Sequence, residues 1–202
     1  MIVKVCGITR LEDALASAGE GAAAVGFIFS RSSPRYIAPA DAAEIIRQLP
    51  PFICPVGVFV NEDRAEILGT LRQTKIRCLQ LHGDEPPAET AGYPVPVIKS
   101  FHVSDQFDPS VMASYPLPAY LLDTHVEGIR GGTGKTFDWK KAQEASRLGR
   151  IILSGGITPE NAAIACLTVR PYAIDVNSGV ESSPGVKDRE RIRSLFENIR
   201  NA

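Results

Sequence analysis

Residues 150–167 read RIILSGGITPENAAIACL. A short apolar run, Ile151 to Leu153, gives way at once to Ser154, Gly155 and Gly156. Thr158 and Pro159 then open an alanine-rich segment. A brief β-branched run bounded by glycines is the mark of a buried strand. A Thr cap with Pro at the first helical position is the mark of a helix start. The stretch therefore reads as strand, glycine turn and helix, and a strand buried on both faces needs neighbours.

The rest of the chain supplies them. Apolar runs of the same kind are IVKVCGI, AAVGFIF, FICPVGVFV, IRCLQLHG, VPVIKSFHV, AYLLDTH and YAIDVNSG, which begin near residues 2, 23, 52, 76, 95, 119 and 172. Helical patterns lie between them. TRLEDALASAGE offers Thr9 as a cap, NEDRAEILGTLRQ offers Asn61, and FDWKKAQEASRLG offers Gly149 as a stop. APADAAEIIRQL places acids early and Arg47 late, as the helix dipole favours, and KDRERIRSLFENIR closes the chain. DEPPAETAGY and SDQFDPSVMASY are weak and predict short or irregular helices. Eight strand–helix units predict a single (β/α)8 barrel with parallel strands, one domain over residues 1–202. An open doubly wound sheet has the same alternation, and the count of eight favours closure.

Composition bounds the function. With 22 Lys+Arg, 23 Asp+Glu and 44% hydrophobic residues, nothing argues for nucleic acid. No apolar run approaches the ~18 residues of a membrane span, and the N-terminus lacks a signal-peptide pattern. The expected location is the cytoplasm, with neither membrane nor nucleic acid as partner. Cys6, Cys54, Cys78 and Cys166 are far apart, without metal-ligand spacing, and are expected to stay thiols. The spacing speaks against a metal site.

In such a barrel the working groups gather where strands end. Cys6 ends the first strand, Asp123 the sixth, Gly155 and Gly156 the seventh, and Ser178 and Gly179 the eighth. The two glycine-bearing loops suit phosphate, because glycine lets backbone N–H groups approach an oxyanion. GGTGKT after the sixth strand tempts a P-loop reading, but Ile129 stands where the first glycine belongs and Gly128 is one residue too early. The segment reads better as a glycine-rich lid. Asp123 at its base is a candidate site carboxylate or a cap for the loop. Cys6 is a small core residue or a reactive thiol, and position alone does not choose. Lys4, two residues earlier, points the same way along the strand and favours the thiolate. Arg31 and Arg35 flank a Ser-Ser-Pro turn and offer forks for a carboxylate or phosphate. His82 ends strand four, a position that can face the site; His102 and His125 read as surface residues.

Taken together, KVCGIT, GFIFSRSSPRYI, LQLHGDE, LLDT with GGTGKTFDW, LSGGIT and DVNSGVESSPGVKD resemble phosphoribosylanthranilate isomerase of tryptophan biosynthesis, over essentially the whole chain. The resemblance implies an Amadori rearrangement of N-(5-phosphoribosyl)anthranilate to 1-(2-carboxyphenylamino)-1-deoxyribulose 5-phosphate, without a cofactor. It implies Cys6 as general base, Asp123 as general acid and Arg35 on the anthranilate carboxylate. Gly155, Gly156, Ser178 and Gly179 would take the phosphate, with His82 and Asp175 also on the substrate. The acid needs a raised pKa and the thiol a lowered one. The implied partner is a small phosphosugar, and the implied assembly a monomer or homodimer. The rivals are the histidine-pathway isomerase, whose family has an aspartate where Cys6 stands, indole-glycerol-phosphate synthase, and a non-catalytic phosphate binder.

Overall fold

Eight parallel strands close into a barrel in chain order: β1 (Ile2–Val5), β2 (Ala24–Ile28), β3 (Cys54–Phe59), β4 (Cys78–Leu81), β5 (Val97–His102), β6 (Ala119–Asp123), β7 (Ile151–Ser154) and β8 (Ala173–Val176). The seam is β1 against β8, with Lys4 in register with Asp175 and Val5 with Val176. The structure is a computed structural model that describes residues 1–104, 106–123 and 139–202. The glycine-rich lid segment and His125 lie outside the described residues.

The barrel follows from near-continuous apolar strands that need cover on both faces. Ile98, Ala119, Leu121, Ile152 and Ala173 form one cluster with Cys78, on the face that alternation turns inward. Tyr120, Leu122, Ile151 and Leu153 face the other way and join the large core shared with the helices. Those helices are α1 (Leu11–Glu20), α2 (Pro39–Ile46), α3 (Arg64–Thr74), α4 (Trp139–Ala145), α5 (Pro159–Val169) and α6 (Arg189–Arg200). The two weak segments form 3-10 turns, Pro87–Thr90 and Pro109–Ser114, as their prolines predict. None of the described helices is long and apolar enough to cross a membrane.

Thr158 caps α5 in a reciprocal box with Asn161, with Pro159 at the first helical position. Three other boundary expectations are corrected. Arg10, not Thr9, is the cap residue of α1, and the Thr9 hydroxyl donates instead to the Gly185 carbonyl. Asp63, not Asn61, precedes α3, and Asn61 Oδ1 accepts from the Asp84 amide across to the next loop. α4 ends at Ala145, ahead of Gly149. After β8 the chain makes a 3-10 turn, Ser178–Val180, and a small hairpin of β9 (Glu181–Ser183) and β10 (Val186–Lys187) before α6. That hairpin lies against the mouth of the barrel through Arg35 and Thr9.

Candidate active site

A cavity of about 360 Å³ opens at the C-terminal ends of the strands. Its walls include every residue that the resemblance assigns to the site: Cys6, Asp123, Arg35, His82, Asp175, Gly155, Gly156, Ser178 and Gly179; Arg31 instead lies over the Tyr36 ring. Parallel strands in a closed ring deliver their ends to one rim, so residues 172 positions apart in sequence, such as Cys6 and Ser178, share a pocket.

Cys6 follows β1, is 4% exposed, and touches Ile28 and Val58. Room for it comes from β2: a Cβ placed on Gly26 would lie 2.7 Å from Cys6 Sγ and 3.1 Å from Lys4 Nζ. Burial pushes the Cys6 thiol above its ordinary value. The Lys4 charge pulls it down, the Asp175 carboxylate pushes it up, and Lys187 pulls it down more weakly. Lys4 thus acts with the expected sign but does not win. Its ammonium is already committed, donating 2.9 Å to Asp175 Oδ1, with both side chains 5% exposed. Burial alone would lower the Lys4 pKa; Asp175 chiefly, and Cys6 with it, hold it above the ordinary value.

Arg35 reaches the cavity from the loop after β2. Its Nε donates to Glu181 Oε1 and Oε2 at 2.9 and 3.1 Å, and its Nη2 donates to Oε2 at 2.6 Å. One edge of the guanidinium is therefore held, and the fork is aimed rather than free. Glu181 also accepts from Lys187 Nζ at 2.9 Å, and Lys187 is fully buried and donates to Asn177 as well. Burial would raise the Glu181 carboxyl; Arg35 and Lys187 outweigh it and hold it below its ordinary value. Burial holds Lys187 below its own ordinary value despite Glu181.

Opposite Cys6, at the end of β6, Asp123 Oδ2 lies 3.3 Å from His82 Nε2. His82 Nδ1 in turn lies 2.8 Å from Gln80 Nε2. His102, the register partner of Asp123, is exposed, as its sequence position suggested.

The two glycine loops after β7 and β8 interlock. Gly155 and Gly156 hold φ of 85° and 64°, the left-handed region that glycine alone enters without strain. A Cβ on Gly179 would lie 1.9 Å from the Ile157 carbonyl oxygen, so the β8 loop seats directly on the β7 loop. Arg191 Nε donates to the Gly179 carbonyl from α6 behind it.

This geometry has counterparts. The model of the family described as N-(5'-phosphoribosyl)anthranilate (PRA) isomerase matches residues 3–198. The chain belongs to the phosphoribosylanthranilate isomerase family. A protein of Pelobacter propionicus named N-(5'-phosphoribosyl)anthranilate isomerase is 49% identical over 96% of this chain and 93% of its own. The crystal structure of phosphoribosyl anthranilate isomerase from Thermus thermophilus superposes with a TM-score of 0.88 at 44% identity, covering 100% of this chain and 99% of the other. A further solved isomerase, in complex with reduced 1-(o-carboxyphenylamino)-1-deoxyribulose 5-phosphate, superposes at 0.85 with 40% identity and full coverage of both chains.

Among site residues, Glu181, Lys187, Asn177 and Gln80 were missed from sequence. The signal for the first two was present in VESSPGVKD: an acid and a base either side of a Pro-Gly turn mark a hairpin that brings them together. Nothing local marked Gln80, one polar residue in an apolar strand.

Proposed function

We infer that this chain isomerises N-(5-phosphoribosyl)anthranilate to 1-(2-carboxyphenylamino)-1-deoxyribulose 5-phosphate, the Amadori step of tryptophan biosynthesis. The observation that carries the reading is that a thiol after β1 and a carboxyl at the end of β6 line one cavity with two interlocked glycine loops and an anchored arginine. The family relationship and the relative solved with the reduced product support the same reading.

In this reading the phosphate sits on the Gly155–Gly156 and Ser178–Gly179 loops, and the anthranilate carboxylate meets the edge of Arg35 that Glu181 leaves open. Ile28, Val58 and Val60 wall the cavity and suit the aromatic ring. Asp123 donates its proton to the ribose ring oxygen, the ring C–O bond breaks, and a protonated Schiff base forms. Cys6 thiolate then takes the proton from C2, the electron pair moves to give the enolamine, and ketonisation completes the product. Each turnover leaves a protonated thiol and a bare carboxylate, and exchange with water restores both.

The raised Cys6 thiol gives this sequence an order. Before ring opening, burial and Asp175 oppose the thiolate. Ring opening places a cationic Schiff base in the same cavity, where it adds to Lys4 and Lys187 in favouring the thiolate. The acid step therefore prepares the base. The reading is tested by mixing the purified chain with freshly made substrate and following substrate fluorescence. Product formation is expected; binding without turnover would instead support the phosphate-binder alternative.

A further inference from the structure

Gln80 takes no part in the steps above, yet it is 1% exposed on β4 with its amide inside the barrel mouth. Its Nε2 lies 2.8 Å from His82 Nδ1, while its Oε1 is buried without a hydrogen-bond partner. Two arrangements of the amide are chemically open. In one, Nε2 donates to a bare Nδ1 and the carbonyl oxygen is the atom without a partner. In the other, the amide is turned: the oxygen accepts from an Nδ1–H, and the NH2 takes the buried position where Oε1 now stands.

The surroundings choose between them. A buried donor without an acceptor is rarer and costlier than an under-used carbonyl oxygen. The structure places Nε2, which can only donate, against Nδ1, so that Nδ1 accepts; this leaves Oε1 and one N–H unmet, whereas the turned amide would leave both N–H bonds without the ring as acceptor. Nδ1 is then the lone-pair nitrogen of His82 and Nε2 carries the hydrogen, because a neutral imidazole has one of each. His82 meets Asp123 Oδ2 at 3.3 Å as a donor. That is slightly longer than the ~2.7–3.2 Å of ordinary N–H···O bonds, as is common in catalytic pairs before substrate tightens them.

We propose that Gln80 is a positioning residue for the rearrangement: by donating to His82 Nδ1 it locks the Nε2–H tautomer, so that His82 donates to Asp123 Oδ2 and leaves the transferable proton on Asp123. The proposal rests on Asp123 being the general acid. Two consequences follow for the proton. His82 cannot intercept it, since Nε2 is already protonated. After the proton leaves Asp123 for the ring oxygen, the new carboxylate still accepts from an N–H already in place, with no second proton moving.

The test has a spectroscopic and a kinetic arm. Nitrogen-15 NMR of the ligand-free full chain in its neutral-imidazole form, with His82→Asn to assign the resonance, should show Nδ1 bare and Nε2 protonated. Gln80→Met should give a tautomer mixture. Gln80→Glu, whose carboxylate can only accept from the ring, should invert the tautomer to Nδ1–H. Turnover should follow: kcat falls roughly tenfold in Gln80→Met and roughly 100-fold in Gln80→Glu, with KM within about twofold, on the scale of an acid–base contribution. A merely structural role predicts the reverse order, since Glu matches Gln in shape. A wild-type Nδ1–H tautomer overturns the proposal, whatever the variants do. So does a Gln80→Met variant that loses as much turnover as Gln80→Glu. Near-normal turnover in Asp123→Asn overturns the acid assignment instead, and leaves the tautomer result standing.

Discussion

Lys4 Nζ and Asp175 Oδ1 meet at 2.9 Å across the β1–β8 seam, directly below the Cys6 thiol in sequence and in register. The pair bridges the seam and sets two opposing charges beside the thiol. Asp175 neutralises the cation that would otherwise favour the thiolate and adds its own negative charge.

Replacing Asp175 by Asn should therefore lower the thiol pKa, since a charge that raises it is removed while a polar contact to Lys4 is kept. Ultraviolet titration of the thiolate in the ligand-free enzyme, with Cys6→Ala as reference, measures the midpoint. A midpoint that rises or stays would show that Asp175 does not govern Cys6.

The same pair has a pH signature in stability. Lys4 sits above its ordinary value in the folded chain. Its contribution is thus fully present below the unfolded pKa, about 10.4, and is lost as pH rises through the raised folded value. Lys4→Met should abolish that alkaline loss and destabilise the fold by roughly 3–5 kcal/mol at neutral pH, because it strands a buried carboxylate. Chemical denaturation across the alkaline range checks both.

Cys6→Ala and Asp123→Asn should each lower kcat by at least ~10²-fold with folding intact, the usual scale for a general base or acid. Near-normal turnover in either variant would remove its role. Complementation of a tryptophan auxotroph lacking this step gives the same comparison in cells.

Arg35→Ala should act mainly on KM. Glu181→Gln should do so too, because the carboxylate holds the Arg35 edge. Glu181→Gln should in addition lose stability, since Lys187 is fully buried and depends on that carboxylate. Glu181 lies below its ordinary value in the fold, so its contribution is present above the unfolded pKa of about 4.3 and is lost as pH falls through the lowered value. The variant should show a flatter acid limb in denaturation. An unchanged KM would contradict the anchoring role.

Gly179→Ala should weaken phosphate recognition from the protein side. The added carbon would overlap the Ile157 carbonyl and force the two loops apart. Inorganic phosphate, as a competitive inhibitor, should bind roughly tenfold less tightly, about 1.4 kcal/mol. Unchanged inhibition would show that the interlock is not part of the phosphate seat.

Local sequence carried much of this. The run from Ile151 to Leu153, with its glycines and the Thr158–Pro159 start, folds as read because strand, turn and cap signals all lie within a few residues of one another. The caps expected at Thr9 and Asn61 gave way to distant contacts: the Thr9 side chain is turned to donate to the Gly185 carbonyl, and Asn61 Oδ1 accepts from the Asp84 amide in place of a helix amide.

The amino-acid sequence by itself determined the eight alternating units and which strand ends carry Cys6, Asp123, Gly155 and Ser178, because periodicity and turn chemistry are local properties. Only the tertiary structure decided what surrounds them. Ring closure brings Asp175 of the last strand beside Lys4 of the first, folds Glu181 back onto Arg35, and sets Gln80 behind His82. Those contacts decide whether a thiol ionises and which nitrogen bears a proton, since charge and hydrogen-bond energies depend on distance and burial, which exist only once the barrel is closed.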